Sequence, residues 1–451
     1  MTEKGIEQII SPGYTAKYID FLVFNASDKP VSVRDDKIFD FINQRESIKV
    51  IGGTPYIYNS GVFRADRTGA RLKTMIKECI YPPLIKSNTI NRIYELFMQD
   101  YEIQAEFDEM NALPPHFINF ENGVLNAKTL ELIPHNPQQL FTNQIPHSWT
   151  AERTEPKTTA LTNWFDFIFE SDSDKEMFLQ FSGLCLTRDT RQEKFLILNG
   201  KGGTGKSILI DLLEKAVGTE NTSNIPIDKL NQRFATYSLV GKLLNSCADL
   251  KISVLTDLAT VKQLTGRDSL TAERKGKDIV SFKNYSKLIF STNKLPVIRN
   301  ESTNAFYRRL LILNLNKQPI KIDTELSEKV CENIDYFIFL AVQALHRMFT
   351  DYGGIIAESE NSKTAVKSMR EENDIVQAFI NSETHIEIGA RTDRSLLFER
   401  FENYCFENEK PQLSKTEFYS DMKNKGYAIV KYNDINSYKN IALNYEFCSR
   451  Q

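Results

Sequence analysis

KFLILNGKGGTGKSILIDLLEKA, residues 194–216, is the stretch that decides the fold. The apolar run Phe195–Leu198 reads as a β-strand, and Ser207–Ala216 reads as a helix. Between them, Gly200-Lys201-Gly202-Gly203-Thr204-Gly205-Lys206-Ser207 fits the pattern GxxxxGK(S/T) throughout. In that setting the glycines let the backbone fold around phosphate oxygens, with amide hydrogens pointing inward at the start of a helix. Lys206 is expected to neutralise the β- and γ-phosphates of ATP, and the Ser207 hydroxyl to sit on Mg²⁺. A chance glycine-rich turn would lack a strand on one side and a helix on the other.

Working outward, a P-loop needs an acid on a neighbouring strand to hold the metal. Asp249 closes the run Lys242–Asp249 and is the candidate; an ordinary strand-end acid is the bland alternative. The next apolar run, Lys287–Thr292, ends at Asn293, whose amide could orient the lytic water or touch the γ-phosphate. Asparagine is also a common turn residue. Phe306-Tyr307-Arg308-Arg309 then precedes the apolar run Leu310–Leu313. An arginine there could reach a neighbouring subunit's nucleotide, or simply make a surface ion pair. Each signal is weak alone, but their order supplies every part of an NTPase in one module. Strands alternating with helices from residue 194 to 320 imply an α/β domain with a parallel sheet.

Upstream, residues 1–110 read as an α+β domain, with strands at Ile48–Ile51 and Thr54–Tyr58 and helices around Gly69–Cys79 and Asn88–Phe107. Residues 111–157 form a β-rich connector, in which PHFINFENGVLNAKTLELIPHNP reads as two short strands around a turn and Ser148–Lys157 as a linker. Residues 158–193 form a helical collar, with apolar residues at helical spacing across Thr162–Leu186. Downstream, residues 321–370 are helical over Asp323–Thr350, and the charged segment Glu358–Asp374 reads as a separator. Residues 371–451 form a final unit.

Composition bounds the rest. The chain has 451 residues, 41% hydrophobic and 25% charged, as in ordinary globular proteins. Its formal charge of −3 means that any nucleic-acid claim must rest on where cations are placed. Six scattered cysteines form no CxxC pair, and five histidines offer no metal-ligand spacing. MTEKGIEQII lacks the basic start and apolar core of a signal peptide, and no apolar run reaches the ~18 residues of a membrane helix. A cytoplasmic protein without membrane partners is expected.

The ordered set GKGGTGKS, NSCADL, VKQLTGRDSLTAERKGKDIVSFKN, KLIFSTNKLP and FYRRL resembles the superfamily III helicases. It is most similar to the helicase portion of phage and plasmid primase-helicases and their poxvirus relatives, from about residue 50 to about residue 320. The resemblance implies a hexameric ring moving 3′ to 5′ on single-stranded DNA, driven by ATP hydrolysis between subunits. Under it Lys206 and Ser207 bind phosphate and magnesium, Asp249 is the Walker B acid, Asn293 the sensor, and Arg308 or Arg309 the finger. Thr271–Asn284 corresponds to a hairpin projecting into the ring channel, with Arg274, Lys275 and Lys277 near its tip. A basic turn between two strands suits a phosphate backbone, although a solvated charged turn looks the same. Two departures stand out. Ala248 precedes Asp249 where many members carry a second acid, so activation of the water is expected to fall to another residue. Residues 1–110 are short for a primase and show no paired-aspartate pattern, so no primase activity is expected.

In the last unit, Ser414-Lys415-Thr416-Glu417 is a capping box opening a helix to about Lys425, and Gly426 ends it. Tyr427–Tyr432 pairs plausibly with Lys439–Phe447 across Asn433–Asn436. Helix, helix, helix and hairpin outline a winged helix, whose third helix would enter a major groove. Lys415, Lys423, Lys425 and Lys431 suit DNA; the interspersed Glu417, Asp421 and Asp434 leave protein docking open. The expected fold is α/β: a P-loop AAA+-type ATPase with a parallel sheet, an α+β N-terminal domain and helical collar before it, and a winged helix after it. The expected function is an ATP-dependent DNA helicase replicating a phage, plasmid or genomic island, with host replication proteins as partners and origin recognition assigned to the last unit. The rivals are an origin-binding initiator that melts or loads while a host helicase unwinds, and a ring ATPase acting on protein.

Overall fold

The computed structural model describes residues 18–152, 155–232, 234–248, 254–255, 258–273, 280–298, 304–321, 323–432 and 434–444. A hairpin of β1 (Leu22–Phe24) and β2 (Pro30–Val33) leads into α1 (Asp35–Arg45), which buries Ile38 and Ile42 one turn apart. Strands β3 (Ile48–Ile51), β4 (Thr54–Asn59) and β5 (Val62–Ala65) form an antiparallel meander. Its first turn is Gly52-Gly53, with φ of 52° and 67°, the left-handed pair that a two-residue hairpin of the right twist demands. Helices α2 (Ala70–Cys79) and α3 (Ser87–Gln99) close the core with Leu72, Ile76, Ile93 and Phe97. Helix α3 stops at Gln99 rather than running to residue 107. The Asp100 carboxylate accepts from the amides of Glu102 and Ile103, a local bond that turns the chain out of the helix.

The connector holds three antiparallel strands, not two: β6 (Phe117–Phe120), β7 (Gly123–Asn126) and β8 (Glu131–Ile133). The segment expected to be a linker begins packed, because Trp149 is buried against Phe120 and Phe339. Three buried asparagines tie the connector to both neighbours. Asn119 Nδ2 donates to the Gly61 carbonyl at 3.0 Å, and Asn143 Nδ2 to Asn221 Oδ1 at 3.0 Å. The Tyr285 hydroxyl donates to Asn143 Oδ1 at 2.9 Å. Collar helices α4 (Ala160–Ile168) and α5 (Asp172–Cys185) follow, and α5 is buried on nearly every side from Met177 onward.

The strand β9 (Phe195–Asn199) enters the P-loop and leads to α6 (Lys206–Val217). Then come β10 (Thr222–Ser223), β11 (Leu244–Cys247), β12 (Val254–Leu255), α7 (Ala259–Thr265), β13 (Ser269–Ala272), β14 (Val280–Lys283), β15 (Lys287–Thr292), β16 (Val297–Ile298) and β17 (Leu310–Asn314). Five of them form a parallel sheet in the order β10-β11-β15-β9-β17. Strand β15 is buried at every position, as a central parallel strand covered on both faces must be. Leu196, Leu198, Ile289, Leu311 and Leu313 face one core with α5 and α6. Phe195, Ile197, Leu288, Phe290 and Ile312 face the other. Outside the sheet, β12 pairs with β16 and β13 pairs antiparallel with β14.

Helices α8 (Leu326–Cys331) and α9 (Ile334–Thr350) return to the collar. The charged segment read as a separator is instead α10 (Glu360–Asn373), which seals the edge strand: the Ile312 amide donates to Ser362 Oγ at 3.0 Å. The last unit runs α11 (Ile375–Glu383), β18 (Thr384–Asp393), α12 (Arg394–Glu407), α13 (Lys415–Asn424), β19 (Ile429–Tyr432) and β20 (Ile435–Leu443), with sheet order β18-β20-β19. Strand β18 falls where only helices were expected. The terminal hairpin is also tighter than expected, since Tyr432 pairs with Ile435 and leaves two residues in the turn.

Candidate nucleotide site

The parallel register sets the geometry. Asn199, the last residue of β9, stands beside Thr292 at the end of β15 and Asn314 at the end of β17. The loop Gly200–Gly205 therefore leaves the sheet at the carboxyl edge, where ligands of open α/β sheets collect. Gly203 and Gly205 have φ of 78° and 87°, conformations that β-carbons resist. At Gly205 a β-carbon would also meet Ile168 at 2.8 Å and Trp164 at 3.2 Å, so collar helix α4 packs under the loop. Gly200 is tighter still, with the Leu315 carbonyl 2.2 Å from where a β-carbon would lie. Thr204 Oγ1 donates to the Lys201 carbonyl at 3.0 Å.

Lys206 opens α6 and is 9% exposed. Its ammonium donates to the Gly200 carbonyl, to the Lys201 carbonyl at 2.9 Å and to Asn293 Oδ1 at 2.9 Å. The P-loop lysine and the asparagine after β15 thus meet at one edge of the sheet. Ser207 is exposed in the first turn of α6, and its hydroxyl has no hydrogen-bond partner among the described residues. Asp249 lies outside the described residues, as do Arg274, Lys275 and Lys277; β11 ends two residues before Asp249, and β13 and β14 lie on either side of residues 274–279 in the chain. Among the described residues no cluster of three or more His, Cys, Asp or Glu could hold a metal.

The two arginines part company. Arg309 is 9% exposed and donates to Glu193 at 2.9 Å and to the Ala305 carbonyl at 2.8 Å. Arg308, with 60% of its side chain exposed, makes a longer 3.6 Å contact with Glu193. Both precede Leu310, which pairs with Phe195 at the amino edge of the sheet. Five residues of β9, roughly 16 Å, separate that edge from the P-loop of the same chain.

In the last unit, Lys425 is engaged by Asp374, and Lys431 pairs with Asp434 at 2.9 Å. Lys423 is exposed, and Lys415 lies 5.7 Å from the Phe398 ring. Gln318 was not singled out from the sequence, yet its Nε2 donates to the Gly202 carbonyl at 2.6 Å. Nothing in its local pattern marks it; only the return of the chain after β17 brings it to the loop. Lys287, at the start of β15, was also missed, and burial pushes its pKa down to about 8.

Residues 65–182 match the family described as D5 N terminal like, and residues 198–309 match a family of unknown function, DUF5906. The chain is thus similar to D5-type primase-helicases over two adjoining stretches, each about a quarter of its length. Among its curated relatives, it is 26% identical over 220 residues to the protein 184R of Invertebrate iridescent virus 6, which has a provisional helicase name. A provisionally named helicase of Acanthamoeba polyphaga mimivirus is 25% identical over 309 residues. The DNA primase-polymerase of Nitratiruptor phage NrS-1 is 25% identical over 189 residues. These matches take in 44%, 62% and 41% of this chain but only 22%, 31% and 26% of the relatives, so the chain spans under a third of their length. Among solved structures, the apo C-terminal region of the NrS-1 protein aligns with a TM-score of 0.49 at 15% identity, over 90% of this chain and 98% of that one. Among the described residues no helix is long and apolar enough to cross a membrane.

Proposed function

We propose that this chain is an ATP-dependent DNA helicase motor of the AAA+ type, working 3′ to 5′ as a hexameric ring in the replication of a phage, plasmid or genomic island. The observation that carries the reading is the meeting of Lys206 and Asn293 at 2.9 Å on the carboxyl edges of adjacent parallel strands. Without phosphate, the lysine is held by two loop carbonyls and the asparagine amide. A triphosphate in the loop offers the ammonium stronger, charged acceptors, so Lys206 turns to it and Asn293 is released. Occupancy of the site is thereby transmitted to β15 and the segments joined to it, among them the β13–β14 hairpin. The exposed first turn of α6 suits Mg²⁺, with Ser207 and Asp249 as its ligands; the metal would supply charge neutralisation at the phosphates.

Arg308 fits the role of a finger acting on the next subunit, because the opposite edge of the sheet separates it from its own P-loop. That arrangement asks for head-to-tail contacts, which close into rings. The cations Arg274, Lys275 and Lys277 are the proposed strand contact. The order helix, strand, helix, helix and hairpin of the last unit supports a winged helix, with Lys415, Lys423 and Lys431 as its outward cations. The test is ATP hydrolysis with and without single-stranded DNA, together with unwinding of a tailed duplex. Wild type should be stimulated and should unwind, and Lys206→Ala should do neither. Stimulation without unwinding, joined to tight binding of origin duplex, would favour the initiator reading instead.

A further inference from the structure

Away from the nucleotide edge, the connector, the loop before β9 and the end of α9 surround an open cleft of about 510 Å³. Lys128, Arg191 and Lys194 line it together with Phe349, Thr350 and the turn Gly353–Ile355. Phe349 organises two of the cations: Lys128 Nζ lies 5.4 Å and Arg191 Cζ 5.9 Å from its ring centre. The nearby carboxylates are already engaged. Asp189 is buried beneath Arg191, with Nε to Oδ1 at 2.9 Å, and Glu358 pairs with Lys194. Asp351 accepts from the Thr350 hydroxyl at 2.7 Å. Lys128 is exposed and has no carboxylate partner among the described residues. Arg191 keeps 44% of its side chain exposed despite its ion pair. His116, against the same ring, is held below its usual pKa by burial first and then by Lys128 and Arg191, with Asp189 pulling the other way.

We infer that this cleft is a second phosphate-binding site, taking the backbone of a single DNA strand on Lys128 and Arg191 across Phe349. Cations over an aromatic floor in an open groove are the elements of strand binding without sequence preference. A pocket for a free nucleotide would instead enclose the base, whereas this cleft is open, and the Gly354 amide of the turn that lines it is already tied to the Met348 carbonyl at 2.8 Å. The site also stands at the amino edge of the sheet, since the Lys194 ammonium donates to the Arg308 carbonyl at 2.6 Å. A strand lying here would touch the segment that carries the proposed finger.

The inference rests on the helicase reading, and the experiment separates the two. Full-length wild type, Lys128→Ala, Lys128→Glu and Lys128→Arg are titrated with a labelled single-stranded oligonucleotide at several salt concentrations, with ATP affinity measured in parallel. Loss of one phosphate contact should lower the magnitude of the salt slope by about 0.7 in Lys128→Ala. Lys128→Glu should weaken strand binding about tenfold at low salt, Lys128→Arg should restore it, and ATP affinity and DNA-free hydrolysis should not change. Unchanged strand affinity and slope in Lys128→Glu would sink the cleft proposal while leaving the helicase reading intact. Loss of ATP affinity instead would reassign the cleft to free nucleotide. A wild type that binds no DNA would overturn both.

Discussion

Gly200 and Gly202 stand two residues apart in one loop and differ in what a methyl group would meet. A β-carbon at Gly200 lies 2.2 Å from the Leu315 carbonyl, whereas at Gly202 nothing comes within 4 Å. The Gly200 collision is with backbone that itself continues the β9–β17 pairing, through the Leu315 amide and Asn199 carbonyl at 2.7 Å, so it cannot be relieved by a rotamer. Gly200→Ala should therefore weaken ATP binding at least tenfold, about 1.4 kcal/mol, and Gly202→Ala should leave it within a factor of two or so; calorimetric titration decides. Lys287 gives a second prediction. It is 5% exposed, donates to the carbonyls of Thr187 and Tyr285, and has its pKa pushed by burial from 10.5 to about 8. Below pH 8 both folded and unfolded chains hold the proton, and folding bears the full cost of burying the charge. Between about 8 and 10.5 the folded chain releases it while the unfolded chain keeps it, so stability climbs with pH, by on the order of 3 kcal/mol in all. Urea midpoints at pH 7.5 and 10 should show this rise in wild type and not in Lys287→Met. The places of the P-loop and Asn293 after strands were legible in the sequence because each directly follows a mostly apolar run read as a strand. Arg308 and Arg309 were not separable, being neighbours of identical chemistry. What distinguishes them is Glu193, far back in the chain, which draws one inward.

Helix α10 shows how an element escapes a reading based on composition. Glu360–Asn373 is mostly polar, and of its apolar residues only Met369 is fully buried, with Ala365 and Val366 partly so. So narrow a stripe reads as a solvated separator. The helix is nevertheless held at its start by Asp174 of α5, a carboxylate 3% exposed that accepts from Ser359 Oγ at 2.5 Å and from Asn361 Nδ2 at 2.6 Å. With α10 anchored there, Ser362 can satisfy the amide of Ile312 on the edge strand β17. Asp174→Ala should cost ~1–3 kcal/mol, because the buried Ser359 hydroxyl, with the more exposed Ser171 and Asn361 beside it, loses a charged acceptor. A double-mutant cycle with Ser359→Ala should return a coupling energy well above zero, and independent effects would remove α10 from this role. Strand β18 was missed for a different reason. HIEIGARTD alternates, but Ile386 and Ile388 are 77% and 94% exposed, so the alternation marks no buried face. Its pairing with β20, some fifty residues later, makes it a strand, and that partner is invisible locally.

At the scale of the whole molecule, the sheet itself divides the proposed catalytic parts. Lys206 and Asn293 stand at the carboxyl edge and Arg308 at the amino edge, with strands β9 and β17 running parallel between them. A rigid five-residue strand cannot shorten, so one chain cannot bring its own Arg308 to its own nucleotide. Two single variants should then fail for different reasons. Lys206→Ala cannot bind the triphosphate but still presents Arg308 to the neighbouring subunit. Arg308→Ala binds the triphosphate but presents nothing. Because Arg308 is exposed, its loss should leave the unfolding temperature unchanged while turnover falls by a factor of about 10³ or more; Arg309→Ala, which removes the buried end of the ion pair with Glu193, should instead lower that temperature. Mixing the two inactive proteins in equal amounts creates interfaces in which an intact P-loop faces an intact Arg308. Random assembly makes such interfaces roughly a quarter of the total in a head-to-tail ring, so hydrolysis should recover toward that fraction of wild type. A chain that works alone has no route to this recovery. If the mixture stays as inactive as its components under conditions where wild type forms rings, Arg308 does not act across a subunit boundary, and the division of the site by the sheet has no catalytic meaning.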